Sequence, residues 1–153
     1  MWVPPEDVDP IVFLAPTRKS IGIMGAVCAA DGRLVTMTQE KFNSCSFLSF
    51  LGLLLRHRRK HRKLIVVLDN ASYHKAIDIR PWLCEHRERI ALDFLPPYSP
   101  ELNNMERVWK LTRRLCTHNR FFPILRELLY AVTEQLAVWQ KPNKILRQLC
   151  AIN

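Results

Sequence analysis

The sequence predicts an α/β domain in three layers around a mixed sheet. Strand-type apolar segments alternate along the chain with segments of helical period. One of them, Leu64-Ile65-Val66-Val67-Leu68, is an unbroken apolar run bounded by charge, the pattern of a fully buried central strand. The order hairpin, helix, strand, helix, strand, then helices wraps helices around a sheet whose central strands are parallel. At 153 residues, 48% apolar and 24% charged with only four glycines, the chain reads as one folded domain rather than a disordered segment.

Each element has a local reason. Residues 1–16 carry Pro4, Pro5, Pro10 and Pro16 and read as an irregular lead-in. Ser20 to Val27 is apolar enough for a buried strand. Asp31-Gly32 signals a tight turn, after which Arg33 to Thr38 alternates as the second strand of a hairpin. Asn43 or Ser44 can cap a helix whose Phe47, Phe50, Leu51 and Leu54 share one face. Ile79 to Glu88 reads as a helix with Pro81 in its first turn. Ile90 to Leu95 is a short strand, and Pro96-Pro97-Tyr98-Ser99-Pro100 then stops regular structure. Asn103 or Asn104 caps a helix through about Leu115. Leu125, Leu128, Leu129, Val132, Leu136 and Trp139 form one helical stripe, and Lys144 to Ala151 a short partner.

The net charge of +9, from 23 Lys and Arg against 14 Asp and Glu, favours polyanionic partners, nucleic acid or an acidic membrane surface. Cys28, Cys45, Cys84, Cys116 and Cys150 form no Cys-x-x-Cys pair, which removes a zinc ribbon or thioredoxin-like site. Their odd number fits reduced thiols. The start, Met-Trp-Val-Pro-Pro-Glu-Asp, has neither the basic region nor the apolar stretch of a signal peptide. Phe47 to Leu55 is too short to cross a bilayer. A soluble, basic, intracellular domain is expected, with no membrane partner.

The chemistry-bearing residues gather after two strands. Asp69 ends the Leu64–Leu68 run, where open α/β sheets collect their functional groups. Taken alone, Asp69-Asn70 could merely start a turn. His74 follows five residues on, then the rigid loop Leu95 to Asn103, then Glu106 in the first turn of a helix. Glu106 borders the apolar stripe of Met105, Val108 and Trp109, and its own face continues as Lys110 and Arg113. An ordinary Glu–Lys pair on a solvated face is the plain alternative for Glu106.

Asp69-Asn70-Ala71-x-x-His74, followed by Leu95-Pro96-Pro97-Tyr98-Ser99-Pro100-x-Leu102-Asn103-x-x-Glu106-x-x-Trp109, resembles the signature of the mariner-like DDE transposases, especially their bacterial insertion-sequence branch. The resemblance spans about Trp2 to Ala151. It implies an RNase H-like fold and three acidic residues holding two Mg²⁺ ions, with Mn²⁺ as a substitute. Asp69 matches the second acid and Glu106 the third, with 36 residues between them. Two ions roughly 3.5–4 Å apart can activate an attacking hydroxyl and stabilise the leaving oxygen of a phosphoryl displacement. Asn70, His74 and Asn103 are expected to orient the site, although capping alone would explain Asn103. Arg58, Arg59, Lys63, Lys110, Arg113 and Arg114 are candidate DNA phosphate contacts. The run Arg56 to Lys63 reads equally as a solvated loop. Tyr98 and Trp109 read as packing residues.

The family's first acid ends an apolar strand upstream of the segment matching Trp2-Val3-Pro4. Glu6, Asp7, Asp9 and Asp31 lie in proline or turn contexts, so none is assigned that role. The expected fold therefore lacks its first strand, and the expected protein is part of a transposase catalytic domain, acting on transposon ends and target DNA. An upstream transposase fragment or a second copy is the expected protein partner, and the bacterial cytoplasm, on the nucleoid when DNA-bound, the expected location. A non-catalytic DNA-binding or regulatory fragment is the alternative. An unrelated basic nucleic-acid-binding protein needs neither the Pro-Pro-Tyr-Ser-Pro loop nor Glu106.

Overall fold

The computed structural model describes residues 22–151. The expected lead-in at residues 1–16 and the start of the first strand at Ser20 lie outside the described residues. Among the described residues the strands form two separate two-stranded sheets rather than one continuous mixed sheet. β1 (Gly22–Val27) pairs antiparallel with β2 (Leu34–Gln39), from Gly22 opposite Gln39 to Val27 opposite Leu34. The turn between them uses Gly32 at φ +75°, a conformation a Cβ would penalise. β3 (Leu64–Leu68) pairs parallel with β4 (Ile90–Phe94), Leu64 beside Ile90 and Leu68 beside Phe94. Both strands of this second ladder therefore start at one end of the molecule and finish at the other.

One helix binds the two ladders together. α1 (Ser44–Arg56) begins at Asn43, whose side chain accepts the Ser46 N–H while the Ser46 hydroxyl oxygen accepts the Asn43 N–H, both at 2.9 Å. Such reciprocal capping is worth about 1 kcal/mol. Phe47, Phe50, Leu51, Leu54 and Leu55 are buried on its inner face. They pack with Met24 of β1, Val35 of β2, Leu68 of β3 and Ile90 of β4, and with Ile79.

The opposite face of the hairpin is covered by α3 (Asn104–Cys116), α4 (Leu125–Val138) and α5 (Lys144–Leu149). Val108, Leu136, Trp139, Leu146 and Cys150 enclose Leu34 there, with Ile23 and Val27 packed against them. Asn143 caps α5 by accepting the Leu146 N–H at 2.9 Å, and its amide donates to the Gly32 carbonyl at 2.8 Å. The hairpin turn and α5 thus hold each other.

The reading of Leu64–Leu68 as a fully buried strand is corrected. Leu64, Val66 and Leu68 face α1, but Ile65 and Val67 are 62% and 56% exposed. Among the described residues, α3, α4 and α5 cover the hairpin and leave this face of β3 open. The helix expected over Ile79 to Glu88 is shorter: α2 covers Arg80–Glu85, preceded by single turns at Ser72–Lys75 and Ile77–Ile79. The five cysteines are unpaired. No helix among the described residues is long and apolar enough to cross a membrane.

Candidate active site

Asp69 follows the last residue of β3 and is held by a small network. Its Oδ1 accepts the Ala71 N–H at 3.1 Å, turning the chain back at once. The Nδ1 of His74 lies 3.0 Å from the same Oδ1 and 3.2 Å from the Asp69 carbonyl oxygen. Two acceptors at Nδ1 require the proton there. The imidazole is fixed between Phe47 and Tyr73, with ring centroids 4.5 and 4.3 Å away. Burial lowers the His74 pKa, and the opposing pull of the Asp69 carbonyl and carboxylate is smaller, so the ring tends to neutral. The Asp69 side chain remains 57% exposed, so it is oriented from behind and open in front.

The second loop is stiff. Leu95 N–H donates to the Leu68 carbonyl at 2.9 Å, extending the parallel ladder by one bond. Asn70 Nδ2 donates to the Leu95 carbonyl at 2.7 Å, tying the ends of β3 and β4 together. Pro96, Pro97 and Pro100 then restrict the backbone. Asn103, rather than Asn104, caps α3 by accepting the Met105 N–H at 3.0 Å. Glu106 falls in the first turn of α3, where a carboxylate is favoured by the helix dipole. Among the described residues Glu106 forms no ion pair, so the plain Glu–Lys reading is not realised. Arg107 fastens this region by donating to the carbonyls of Glu101 and Leu149 at 3.3 and 3.2 Å.

Asp69, Asn70, Asn103 and Glu106 line one open cleft of about 430 Å³, closed on one side by the proline loop. His74 supports Asp69 rather than lining the cleft. Lys110, Arg113 and Arg114 are exposed on α3 beyond Glu106. Arg58, Arg59 and Lys63 are elsewhere: they precede β3, at the end of the sheet away from Asp69. The expectation for Trp109 holds, since it packs with the cluster between α3 and the hairpin. The expectation for Tyr98 does not. It is fully exposed on the cleft wall, at φ +57°. The prolines on either side of the Tyr98-Ser99 pair hold it away from the core.

One positioning residue escaped the sequence reading. A Cβ on Gly25 would stand 2.7 Å from Met105 Cε and 2.9 Å from Trp109 Cζ2. Gly25 therefore sets how closely α3, and with it Glu106, docks on β1. A glycine inside an apolar strand is the signal that marked it.

Two open carboxylates on a strand end and a helix start offer hard oxygen donors, which suit a divalent cation of the Mg²⁺ class. Among the described residues no three His, Cys, Asp or Glu side chains gather to hold a metal ion. Asp31 cannot join the pair, because it lies in the β1–β2 turn against Arg33 and Arg59, at 3.8 and 3.4 Å.

Fold and cleft together define an α/β domain with an acidic crevice at the C-terminal ends of parallel strands. The family model of the DDE superfamily endonuclease matches residues 1–129, and the chain belongs to that family. It is 31% identical over 119 residues to the uncharacterized protein y4pE/y4sA of Sinorhizobium fredii, covering 78% of this chain and 82% of that one. It is also 26% identical over 110 residues to the insertion element IS630 uncharacterized 39 kDa protein of Shigella sonnei, covering 72% of this chain. The match spans 32% of that relative's length. A chain of the cryoEM structure of the simian T-cell lymphotropic virus intasome in complex with PP2A regulatory subunit B56 gamma superposes with a TM-score of 0.54. Its identity is 17%, and the overlap covers 72% of this chain and 40% of that one. The fold is thus α/β and RNase H-like, as the resemblance implied.

Proposed function

We propose that this chain is part of the catalytic domain of a DNA transposase and supplies two acids of its metal site, Asp69 and Glu106. The observation carrying the reading is the shared cleft. The two carboxylates, with 36 residues between them in sequence, reach it from a strand end and a helix start. Together they would hold Mg²⁺ or Mn²⁺. The metal would supply Lewis-acid activation of water or a hydroxyl for cleavage of a DNA phosphodiester and strand transfer. The third acid is assigned to none of this chain's residues, and an upstream transposase fragment would supply it.

The chain's own residues divide the remaining work. His74 and the Ala71 N–H both engage Oδ1 of Asp69 and fix the direction of its open face. Asn70 couples that face to the proline loop. The cap at Asn103 sets where α3 starts and hence where Glu106 projects. Lys110, Arg113 and Arg114 give the DNA backbone cationic partners along α3.

The test is nicking of a duplex bearing the element's ends in Mg²⁺ or Mn²⁺, by the chain alone and with an upstream fragment added. Activity that needs the fragment and vanishes in both Asp69→Asn and Glu106→Gln is the expected result. Nicking that survives both substitutions overturns the assignment. Duplex binding with no nicking under either condition points instead to a regulatory fragment.

A further inference from the structure

We propose that the end of the sheet opposite the acidic cleft is a second DNA surface, gripping the phosphate backbone of a duplex other than the one at Asp69 and Glu106. The inference rests on the reading of the cleft as a DNA site. Between the end of α1 at Arg56 and the start of β3 at Leu64, every residue is a cation or a histidine. The segment 56–63 contains six Lys or Arg and two His, all exposed except the half-buried Arg58.

The fold concentrates further charge at the same place. Because β3 and β4 are parallel and in register, the residues before β4 stand beside those before β3. The Leu64 N–H donates to the Arg89 carbonyl at 2.9 Å, which sets exposed Arg89 and Arg87 next to the basic run. Arg33 of the hairpin joins from the other side, its guanidinium donating to the His57 carbonyl at 3.4 Å. Asp31 and Glu88 are the acids paired there, with Arg33 and Arg59 on the one and Arg87 on the other. Among the described residues most of this positive charge has no acidic partner, and it sits on long, exposed side chains. Such a surface recognises a phosphate backbone rather than a sequence.

Geometry separates this grip from the cleft. A five-residue strand spans roughly 16 Å at 3.3 Å per residue. The open face of the second ladder between the two ends presents Ile65 and Val67, with Asp93 beside Val67 in the ladder. A backbone crossing that face would lay phosphates on two exposed aliphatic side chains and an acid. The basic end and the cleft are accordingly assigned to separate duplex segments.

The experiment reads binding rather than cleavage, so its failure is distinguishable from failure of the catalytic reading. A fluorescein-labelled 20-base-pair duplex is titrated with the full chain in EDTA over a salt series. The comparison is with an R59A/K60A/R62A/K63A variant of matched thermal melt. Loss of four phosphate contacts should reduce the slope of log affinity against log salt by about 3 to 4. Affinity at low salt should fall at least tenfold. With Ca²⁺ present, wild-type chain of monomeric mass should bring a donor-labelled and an acceptor-labelled duplex into energy transfer, and the variant should not. An unchanged salt slope, energy transfer that persists in the variant, or tighter binding to phosphatidylserine vesicles than to the duplex would each overturn the proposal.

Discussion

Replacing Gly25 by alanine tests whether the β1–α3 contact positions Glu106. The added Cβ would stand 2.7 Å from Met105 Cε, and 2.9 and 3.1 Å from Trp109 Cζ2 and Cη2. Carbon atoms prefer about 3.5–4.0 Å, so each neighbour must retreat by roughly half an ångström or more. Met105 can do so by rotating its flexible end. Trp109 cannot easily follow, because its rigid ring packs in the cluster around Val108 and Trp139, which are 0% and 2% exposed. Overpacking of this kind costs about 1–3 kcal/mol. Relief of the strand glycine's entropy offsets about 0.5–1 kcal/mol. A net loss of about 1–2 kcal/mol should lower the thermal midpoint by roughly 2–8 °C for a chain of this size. The functional effect should exceed the stability effect, since metal sites tolerate only about 0.5 Å of misplacement. Melting with and without Mg²⁺ reads both, and the Mg²⁺-induced rise should shrink in Gly25→Ala. In a Trp109→Leu background the alanine should cost much less, giving a coupling of at least about 0.5 kcal/mol. If Gly25→Ala melts with wild type and its cost is independent of residue 109, the spacing argument is refuted.

Gly52 is the contrasting case: a Cβ there meets nothing within 4 Å, in the middle of α1. Gly52→Ala should therefore raise stability by about 0.5–1 kcal/mol in urea unfolding. Divalent ion should stabilise the wild type by about 2.7 kcal/mol at a hundredfold excess over its dissociation constant, seen as a rise in melting temperature. Asp69→Asn should abolish that rise. His74 gives a pH signature in EDTA. Its folded pKa is depressed below 6.5, chiefly by burial, so the unfolded chain binds more protons in that window. Stability should be full above pH 6.5 and fall as pH drops toward the folded pKa. The fall should be smaller in His74→Asn, and equal acid sensitivity of the two proteins would contradict the assignment.

Legibility followed locality. The cap at Asn43, the turn at Asp31-Gly32 and the stripe from Leu125 to Trp139 depend on residues within a few positions of each other, and each forms as its pattern indicates. Leu64–Leu68 was misread because an apolar run fixes that a strand is apolar, not how many layers cover it. α3, α4 and α5 went to the hairpin, and Ile65 and Val67 stayed open. Tyr98 was misread for a related reason. Its aromatic character suggests burial, whereas a positive φ between flanking prolines decides where the ring goes. Gly25 could be flagged as unusual from sequence, but its partners lie some eighty residues away in α3.

The site shows the same division at the level of chemistry. Asp69 is placed almost wholly by local structure, since strand end, Asx turn and His74 all fall within six residues. Glu106 is not. Its position depends on the Asn103 cap, on Arg107 reaching Glu101 and Leu149, and on the approach of α3 to β1 that Gly25 permits. Perturbing the hairpin or α5 should therefore alter metal binding through Glu106 while leaving Asp69 oriented. Gly32 offers the long-range version of that test. A Cβ there would strike the Asn143 carbonyl oxygen at 2.2 Å and the Arg147 nitrogen at 2.6 Å, both backbone atoms that cannot rotate away. With the positive φ, Gly32→Ala should cost about 2–4 kcal/mol and loosen α5. Amide exchange should then rise at Leu146 and Cys150 and through α3, with the Asp69 turn still protected. Equal loss of protection at both acids would show that the cleft is one cooperative unit rather than two independently placed halves.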